Sequence, residues 1–204
     1  QCYTHKLLTG RYGQFNTLRK KDGISGFTNK EESPHDYFIH GHSSTSISAA
    51  LGLLTARELN GEKGKVIAVI GDGALTGGMA YEGLCNASQL NKNLIVVLND
   101  NQMSIDHNIG AISRYLSRLT TTSRYQTFRN ITDKCIDHIP YLGKFLNKFI
   151  FRFKRSLKGL FLTNNLFVDL GFEYTGPLDG HNEKELERAF RRVKKLHRPV
   201  LVHI

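Results

Sequence analysis

The chain has no tryptophan, 2 methionines, 4 prolines and only 3 cysteines in 204 residues. Three is an odd number, and Cys2, Cys85 and Cys135 show no CxxC pair or finger-type spacing, which argues against both a disulfide framework and a zinc site. A reducing, cytoplasmic setting is the expectation that follows. Long apolar runs are missing as well: Val66 to Ile70 and Leu94 to Leu98 each span five residues, against roughly 20 for a helix that crosses a bilayer. No membrane partner is expected. Acidic side chains are the remaining scarcity, 18 Asp and Glu against 28 Lys and Arg, which leaves a formal charge of +10.

That charge is local. Residues 111–160 hold 11 Lys or Arg and 2 Asp, so nine of the ten surplus charges lie in one quarter of the chain. Tyr115, Tyr125, Phe128, Phe151 and Phe153 interleave them, as a nucleic-acid surface would require. Ile139, Leu142, Phe145, Leu146 and Phe149, however, follow the spacing of one apolar helix face, with Lys144 and Lys148 off it. Packing accounts for the aromatics more simply, so no nucleic-acid partner is expected. A cationic cover over an anionic site and a solvated face both stay open.

What is present in ordinary amounts is a globular composition, 40% hydrophobic and 23% charged, long enough to bury one core. The start at Gln1 and the end inside the apolar stretch Pro199 to Ile204 predict a piece of a longer chain. Tyr37-Phe38-Ile39 reads as a short strand, followed by N-cap candidates Ser43 to Ser46 and a helix carrying Ile47, Ala50, Leu51, Leu54 and Leu59. Lys65 to Ile70, apolar on both faces, predicts a central parallel strand. A helix from Met79 to Leu90 and a second buried strand, Leu94 to Leu98, complete a βαβ unit. After Ser104 the periodicity weakens to about Leu162. Order returns with a short helix over Asn164 to Leu170, a strand at Phe172 to Tyr174, a helix capped by Asn182 and running to about Leu196, and a last strand over Val200 to Ile204. The expectation is an α/β fold, a three-layer domain with a mostly parallel sheet, interrupted by an irregular, partly helical basic insertion over 105–162.

Open sheets of this kind bind ligands beyond the carboxyl ends of their strands. After Ile70 the chain reads Gly71-Asp72-Gly73-Ala74-Leu75-Thr76-Gly77-Gly78. A dinucleotide fingerprint would need Gly where Thr76 stands, and a P-loop would need Gly-Lys-Ser/Thr. Asp72 beside a diphosphate makes sense if a divalent cation joins the two carboxylate and phosphate groups. Mg2+ takes six oxygens. The next strand ends in Asn99-Asp100-Asn101, one βαβ unit later, so Asn101 offers an amide oxygen and Met103 a backbone carbonyl. Gly-Asp-Gly alone is also a good tight turn and Asn-Asp-Asn a good loop. Together, at the ends of adjacent buried strands, they favour metal and diphosphate.

Gly-Asp-Gly followed by Asn at this interval resembles the cofactor motif of thiamine-diphosphate enzymes. Four stretches narrow the resemblance to the 1-deoxy-D-xylulose-5-phosphate synthase family: Tyr3 to Arg11, Gly41-His42-Ser43-Ser44-Thr45-Ser46-Ile47-Ser48-Ala49, Asn99 to Ile105, and Gly176-Pro177-Leu178-Asp179-Gly180-His181. It runs from Gln1 to Ile204. The resemblance implies thiamine diphosphate and Mg2+ as cofactors, with Asp72, Asn101 and the Met103 carbonyl on the metal and the Gly73 and Ala74 backbone on the diphosphate. Gly41, His42 and Ser43 would meet the cofactor from a second turn, where a helix opening at Ser43 or Ser44 would add a positive dipole end. His42 is the only candidate catalytic group. The family's active-site histidine would precede Gln1, and its activating glutamate and phosphate-binding arginines would lie in a following domain.

The resemblance further implies a cytoplasmic homodimer, with residues 1–204 as a single diphosphate-binding domain. The implied reaction condenses pyruvate with D-glyceraldehyde 3-phosphate, losing carbon dioxide, to give 1-deoxy-D-xylulose 5-phosphate for isoprenoid, thiamine and pyridoxal synthesis. Another thiamine-diphosphate enzyme, such as a transketolase, and a non-catalytic basic binding module are the alternatives. Asp179 to Asn182 reads as a structural turn before a capped helix, and Glu82 as either a packing or a solvated position.

Overall fold

Leu94-Ile95-Val96-Val97-Leu98 has no polar position on either face, so as a strand it is stable only inside a sheet covered on both sides. The computed structural model, which describes residues 2–101, 111–121 and 165–204, contains that sheet. The chain divides into two compact units, residues 1–45 and 46–204.

In the first unit, helix α1 (Cys2–Lys6) runs on through Leu7–Arg11, where Thr9 and Gly10 leave helical geometry, into a short 3-10 helix at Tyr12–Thr17. The remainder is turn and loop. Tyr37-Phe38-Ile39, expected as a strand, is not one. These side chains are largely exposed, and the neighbouring backbone bond runs from the His40 N–H to the Thr28 carbonyl rather than along a ladder. Three residues offer too few bonds to hold an extended segment that has no paired edge.

In the second unit, helix α2 (Ser46–Leu59) precedes strand β1 (Val66–Gly71), the single turn α3 (Asp72–Leu75), helix α4 (Gly78–Gln89) and strand β2 (Leu94–Asn99). Asn91, at φ 46°, makes a left-handed step between α4 and β2. Helices α5 (Ala111–Thr121) and α6 (Leu166–Asp169), strand β3 (Glu173–Thr175), helix α7 (Glu183–Val193) and strand β4 (Val200–His203) complete the unit. The strand order is β1-β2-β4-β3 with every pairing parallel. The expected α/β class with a parallel sheet is therefore present.

Helices cover both faces. On one, Ile47, Leu51 and Leu54 of α2 and Ala80, Leu84 and Ala87 of α4 pack on Val66, Ala68, Ile70, Val96 and Leu98, joined by Leu116 of α5 and Phe167 of α6. On the other, Val193 and Phe190 of α7 cover Ile95, Val97, Val200 and Val202. β2 is buried along its whole apolar run, as expected. β1 departs from expectation: Ile67 and Val69 remain about half exposed, because α7 covers β2 and β4 and β1 stands at the sheet's edge. Asn165 caps α6, its side chain accepting from the Phe167 and Val168 N–H groups, and Asn182 caps α7 by accepting from Glu185. Helix α7 ends at Val193, three residues short of expectation.

Of the expected insertion over 105–162, residues 111–121 are described and form α5. Its Leu116 is buried, and the Tyr115 hydroxyl accepts a hydrogen bond from the Leu166 N–H at 2.6 Å. Tyr115 thus serves packing. Ile139 to Phe149 and the other interleaved aromatics lie outside the described residues. No helix among the described residues is long and apolar enough to cross a membrane.

The contact that sets α4 over the sheet is Gly83. A Cβ there would lie 2.9 Å from Ser48 Oγ and 3.0 Å from Ile47 Cγ2 of α2, closer than side chains tolerate. Replacement by Val forces the two helices apart, and Gly83→Val is expected to cost about 1–3 kcal/mol. Denaturant unfolding measures it. A variant as stable as the wild type would mean that α2 and α4 do not meet here.

Candidate functional site

Parallel strands in register deliver their following loops to the same edge of a sheet. Gly71 pairs with Asn99, so Asp72 emerges one residue after β1 and Asn101 two residues after β2, at neighbouring strand ends. Gly71 is extended (φ −82°, ψ 159°) and caps α3, which makes Asp72 the first residue of a helical turn. Its side chain is buried, with the residue 5% exposed. Gly73 and Ala74 occupy that same first turn, whose backbone N–H groups form the positive end of the turn's dipole. Asn101 is exposed. Met103 lies outside the described residues.

This donor set is all oxygen, one buried carboxylate and one amide at the mouth of a parallel sheet. It suits a hard cation that keeps water and takes phosphate oxygens to complete its shell, as Mg2+ does. Among the described residues no three His, Cys, Asp or Glu side chains gather as a self-sufficient metal cage.

Gly41, His42 and Ser43 belong to the first unit and are exposed. The helix expected to open at Ser43 or Ser44 begins instead at Ser46. The reason is local: Ser44 sits at φ 69°, a left-handed step incompatible with a helical turn, and Thr45 Oγ1 donates to the His42 carbonyl at 3.2 Å to close the turn. The three residues therefore present a loop, not a helix end.

The turn Asp179 to Asn182 is structural, as expected. Asp179 Oδ1 accepts from the His181 N–H at 2.9 Å, and the Asn182 side chain caps α7. Glu82 and Asn86 lie on the exposed face of α4, opposite the buried Leu84 and Ala87, so Glu82 takes no part in packing within the chain.

Sequence reasoning missed two clusters. The first crosses three strands. His203, the last residue of β4 and fully buried, meets Asp100 Oδ2 through Nε2 at 3.1 Å and the Tyr174 hydroxyl through Nδ1 at 2.7 Å. The Asp100 side chain is 3% exposed. A histidine inside the apolar run Val200 to Ile204 was itself the signal, because a polar group in a doubly covered strand must find partners. Asp100 is 103 positions away, and nothing in the chain's spacing links the two.

The second cluster holds the first unit together. Both terminal nitrogens of Arg11 donate to the Asp36 carboxylate, at 2.7 and 2.8 Å, and Asp36 also accepts from the Asn29 N–H at 2.8 Å and pairs with His5 at 2.7 Å. Glu32 accepts from the buried Lys6 ammonium, from Arg11 and from the Ser25 N–H. The bonded Arg11 guanidinium holds Asp36 well below the usual carboxylate range, against the opposing effect of burial and with help from Asn29 and His5. Burial pushes Glu32 upward, but the bonds from Lys6 and Ser25 outweigh it and its value is lowered. The bond to Asp36 in turn raises Arg11.

The family model described as 1-deoxy-D-xylulose-5-phosphate synthase matches residues 1–204. A 1-deoxy-D-xylulose-5-phosphate synthase from Treponema pallidum (strain Nichols) is 52% identical over all 204 residues, which cover 32% of that protein. One from Carboxydothermus hydrogenoformans is 53% identical over the whole chain, covering 33% of its own length. The chain thus spans about a third of the curated relatives it matches. Among solved structures, transketolase from Leishmania mexicana aligns with a TM-score of 0.60 at 18% identity, over 94% of this chain and 24% of that one, a likeness of fold.

The Asp36 cluster carries a pH signature. Its carboxylate titrates lower in the folded protein than the roughly 3.9 of an unfolded Asp. The stabilisation is therefore complete above about pH 4 and is lost as pH falls from there toward the folded value. Acid titration followed by NMR of the Asn29 and Ser25 amides should show the first unit loosening below about pH 4. Asp36→Asn should flatten that acid transition and destabilise the unit at neutral pH by about 3–5 kcal/mol, since it leaves Arg11 buried against a neutral partner. An unchanged acid profile in the variant would remove Asp36 as its source.

Proposed function

Given that the chain belongs to the 1-deoxy-D-xylulose-5-phosphate synthase family, we propose that it is the diphosphate- and Mg2+-binding part of such a synthase. One observation carries this reading: the register that pairs Gly71 with Asn99 brings the Gly-Asp-Gly and Asn-Asp-Asn turns out side by side. Asp72 and Asn101 donate side-chain oxygens to Mg2+, and Met103 its backbone carbonyl. Gly73 and Ala74 turn backbone N–H groups toward the diphosphate. The family resemblance also assigns Gly41, His42 and Ser43 to the cofactor, with His42 as a hydrogen-bonding group for the diphosphate or the substrate.

Thiamine diphosphate supplies, when bound, the carbon nucleophile and electron sink for decarboxylating a 2-oxo acid. The work of this chain is electrostatic and positional. Asp72 tethers the cation that neutralises the diphosphate, the glycines let backbone approach closely, and the rigid sheet edge keeps both turns at fixed separation. The substrates of the whole enzyme in this reading are pyruvate and D-glyceraldehyde 3-phosphate, and its state a cytoplasmic homodimer. The 52% identity to a protein of that name over the full chain supports the assignment. Residues 1–204 act as one diphosphate-binding domain, and the remaining catalytic groups come from outside it, so the isolated chain turns over no substrate.

Calorimetric titration of thiamine diphosphate, with and without Mg2+, into the full reading frame containing this chain tests the proposal. Binding is expected only with Mg2+ and is expected to vanish in Asp72→Ala. A folded protein that ignores the cofactor, or an Asp72→Ala variant that binds as the wild type does, would overturn it. Product formed by residues 1–204 alone would overturn the second part.

A further inference from the structure

Resting on the reading of Asn101 as a metal ligand, we infer that Tyr174, His203 and Asp100 form a positioning relay that fixes the turn from which Asn101 projects. The backbone already ties that turn to β4. The Asp100 N–H donates to the Ile204 carbonyl at 2.8 Å, and the Ile204 N–H donates to the Leu98 carbonyl at 2.9 Å, carrying the β2–β4 ladder one step past the strands. The side chains add a second tie. His203 Nε2 lies 3.1 Å from Asp100 Oδ2 and Nδ1 lies 2.7 Å from the Tyr174 hydroxyl, so one imidazole bridges the two side chains. The chain of contacts runs from β3 through β4 to the turn after β2.

Each member is itself held. The Tyr174 ring stacks on Phe167 with centroids 6.0 Å apart and planes 1° from parallel. The His203 carbonyl accepts from the Leu178 N–H at 2.9 Å. Gly176, at φ 138°, passes so close that a Cβ would strike that carbonyl oxygen. A buried charge and two buried polar rings are a poor way to gain stability, since apolar residues of the same shape do as well or better. Their position explains them: they converge on the residue adjacent to Asn101. Asp100 acts through the backbone, and none of the three needs to touch the metal.

Tyr174→Phe removes one hydroxyl and keeps the stacked ring, and His203→Phe removes both polar contacts. Two readouts apply to the full reading frame. Without metal or cofactor, amide exchange at residues 99–101 should speed up by about tenfold or more in His203→Phe and by less in Tyr174→Phe. In cofactor titrations the Mg2+ concentration at half-saturation should rise by about 10–100-fold, the range for partners that orient metal ligands. The KM for substrates at saturating Mg2+ and cofactor should stay within twofold. Exchange and Mg2+ half-saturation both unchanged would overturn the relay, as would a shifted Mg2+ dependence with unaltered exchange at 99–101. A wild type that takes up no cofactor, while the variants still loosen residues 99–101, would keep the anchor and strike down the ligand reading instead.

Discussion

The alignment of β1 with β2 is the constraint on which everything else rests. A parallel pair has evenly spaced, slanted bonds and no hairpin to fix its register, so the register is set by which side chains must be buried. Here Val66, Ala68 and Ile70 face one core and align with Leu94, Val96 and Leu98. A slip of two residues would keep those faces buried but would shift Asp72 relative to Asn101 by about 7 Å along the strands, given the ~3.3 Å rise per residue. Two chemically meaningful turns meet because two apolar strands are matched in length. Gly83 contributes at one remove, since the close approach of α2 and α4 seats the crossover helix that connects them.

Burial explains which parts of this arrangement were legible in the chain. Leu94 to Leu98 was readable as a doubly covered strand because no face of it can meet water, and Asn182 marked a helix start through chemistry that acts within a few residues. Tyr37 to Ile39 misled because an apolar triplet has the composition of a strand without the paired edge that would hold it. Ile67 and Val69 are as apolar as their neighbours, and only the placement of α7 over β2 and β4 decides that they stay half exposed. Ser44 shows the same limit at short range. Its left-handed step moves the start of α2 to Ser46, and serine is not a residue whose presence announces such a step.

The candidate site divides along the same line. Asp72 and Asn101 were visible because glycine turns and strand ends are local signals, whereas the partners of His203 are supplied by sheet order alone. β4 inserts between β2 and β3, so a residue near the chain's end lies between Tyr174 and Asp100. The Arg11 and Asp36 pair is a similar case in the first unit, 25 positions apart and recognisable only once the chain has turned back on itself. Both clusters bury carboxylates, but by different means. Asp36 meets a bidentate guanidinium, the Asn29 N–H and His5, while Asp100 meets the His203 imidazole, which in turn meets the Tyr174 hydroxyl.

That difference bears on the charge at the sheet's edge. A cation held by Asp72 beside a diphosphate, as proposed, would have its charge matched by several anionic oxygens, and a second free carboxylate there would add repulsion toward the phosphates. Asp100 stands one residue from the turn's proposed ligand and is engaged with His203, buried toward β4. The neutral amide of Asn101 is then what the turn presents. Asn-Asp-Asn then divides the labour: Asp100 ties the turn to β4 through His203, and in the proposed role Asn101 would supply an oxygen that coordinates a cation without repelling the diphosphate.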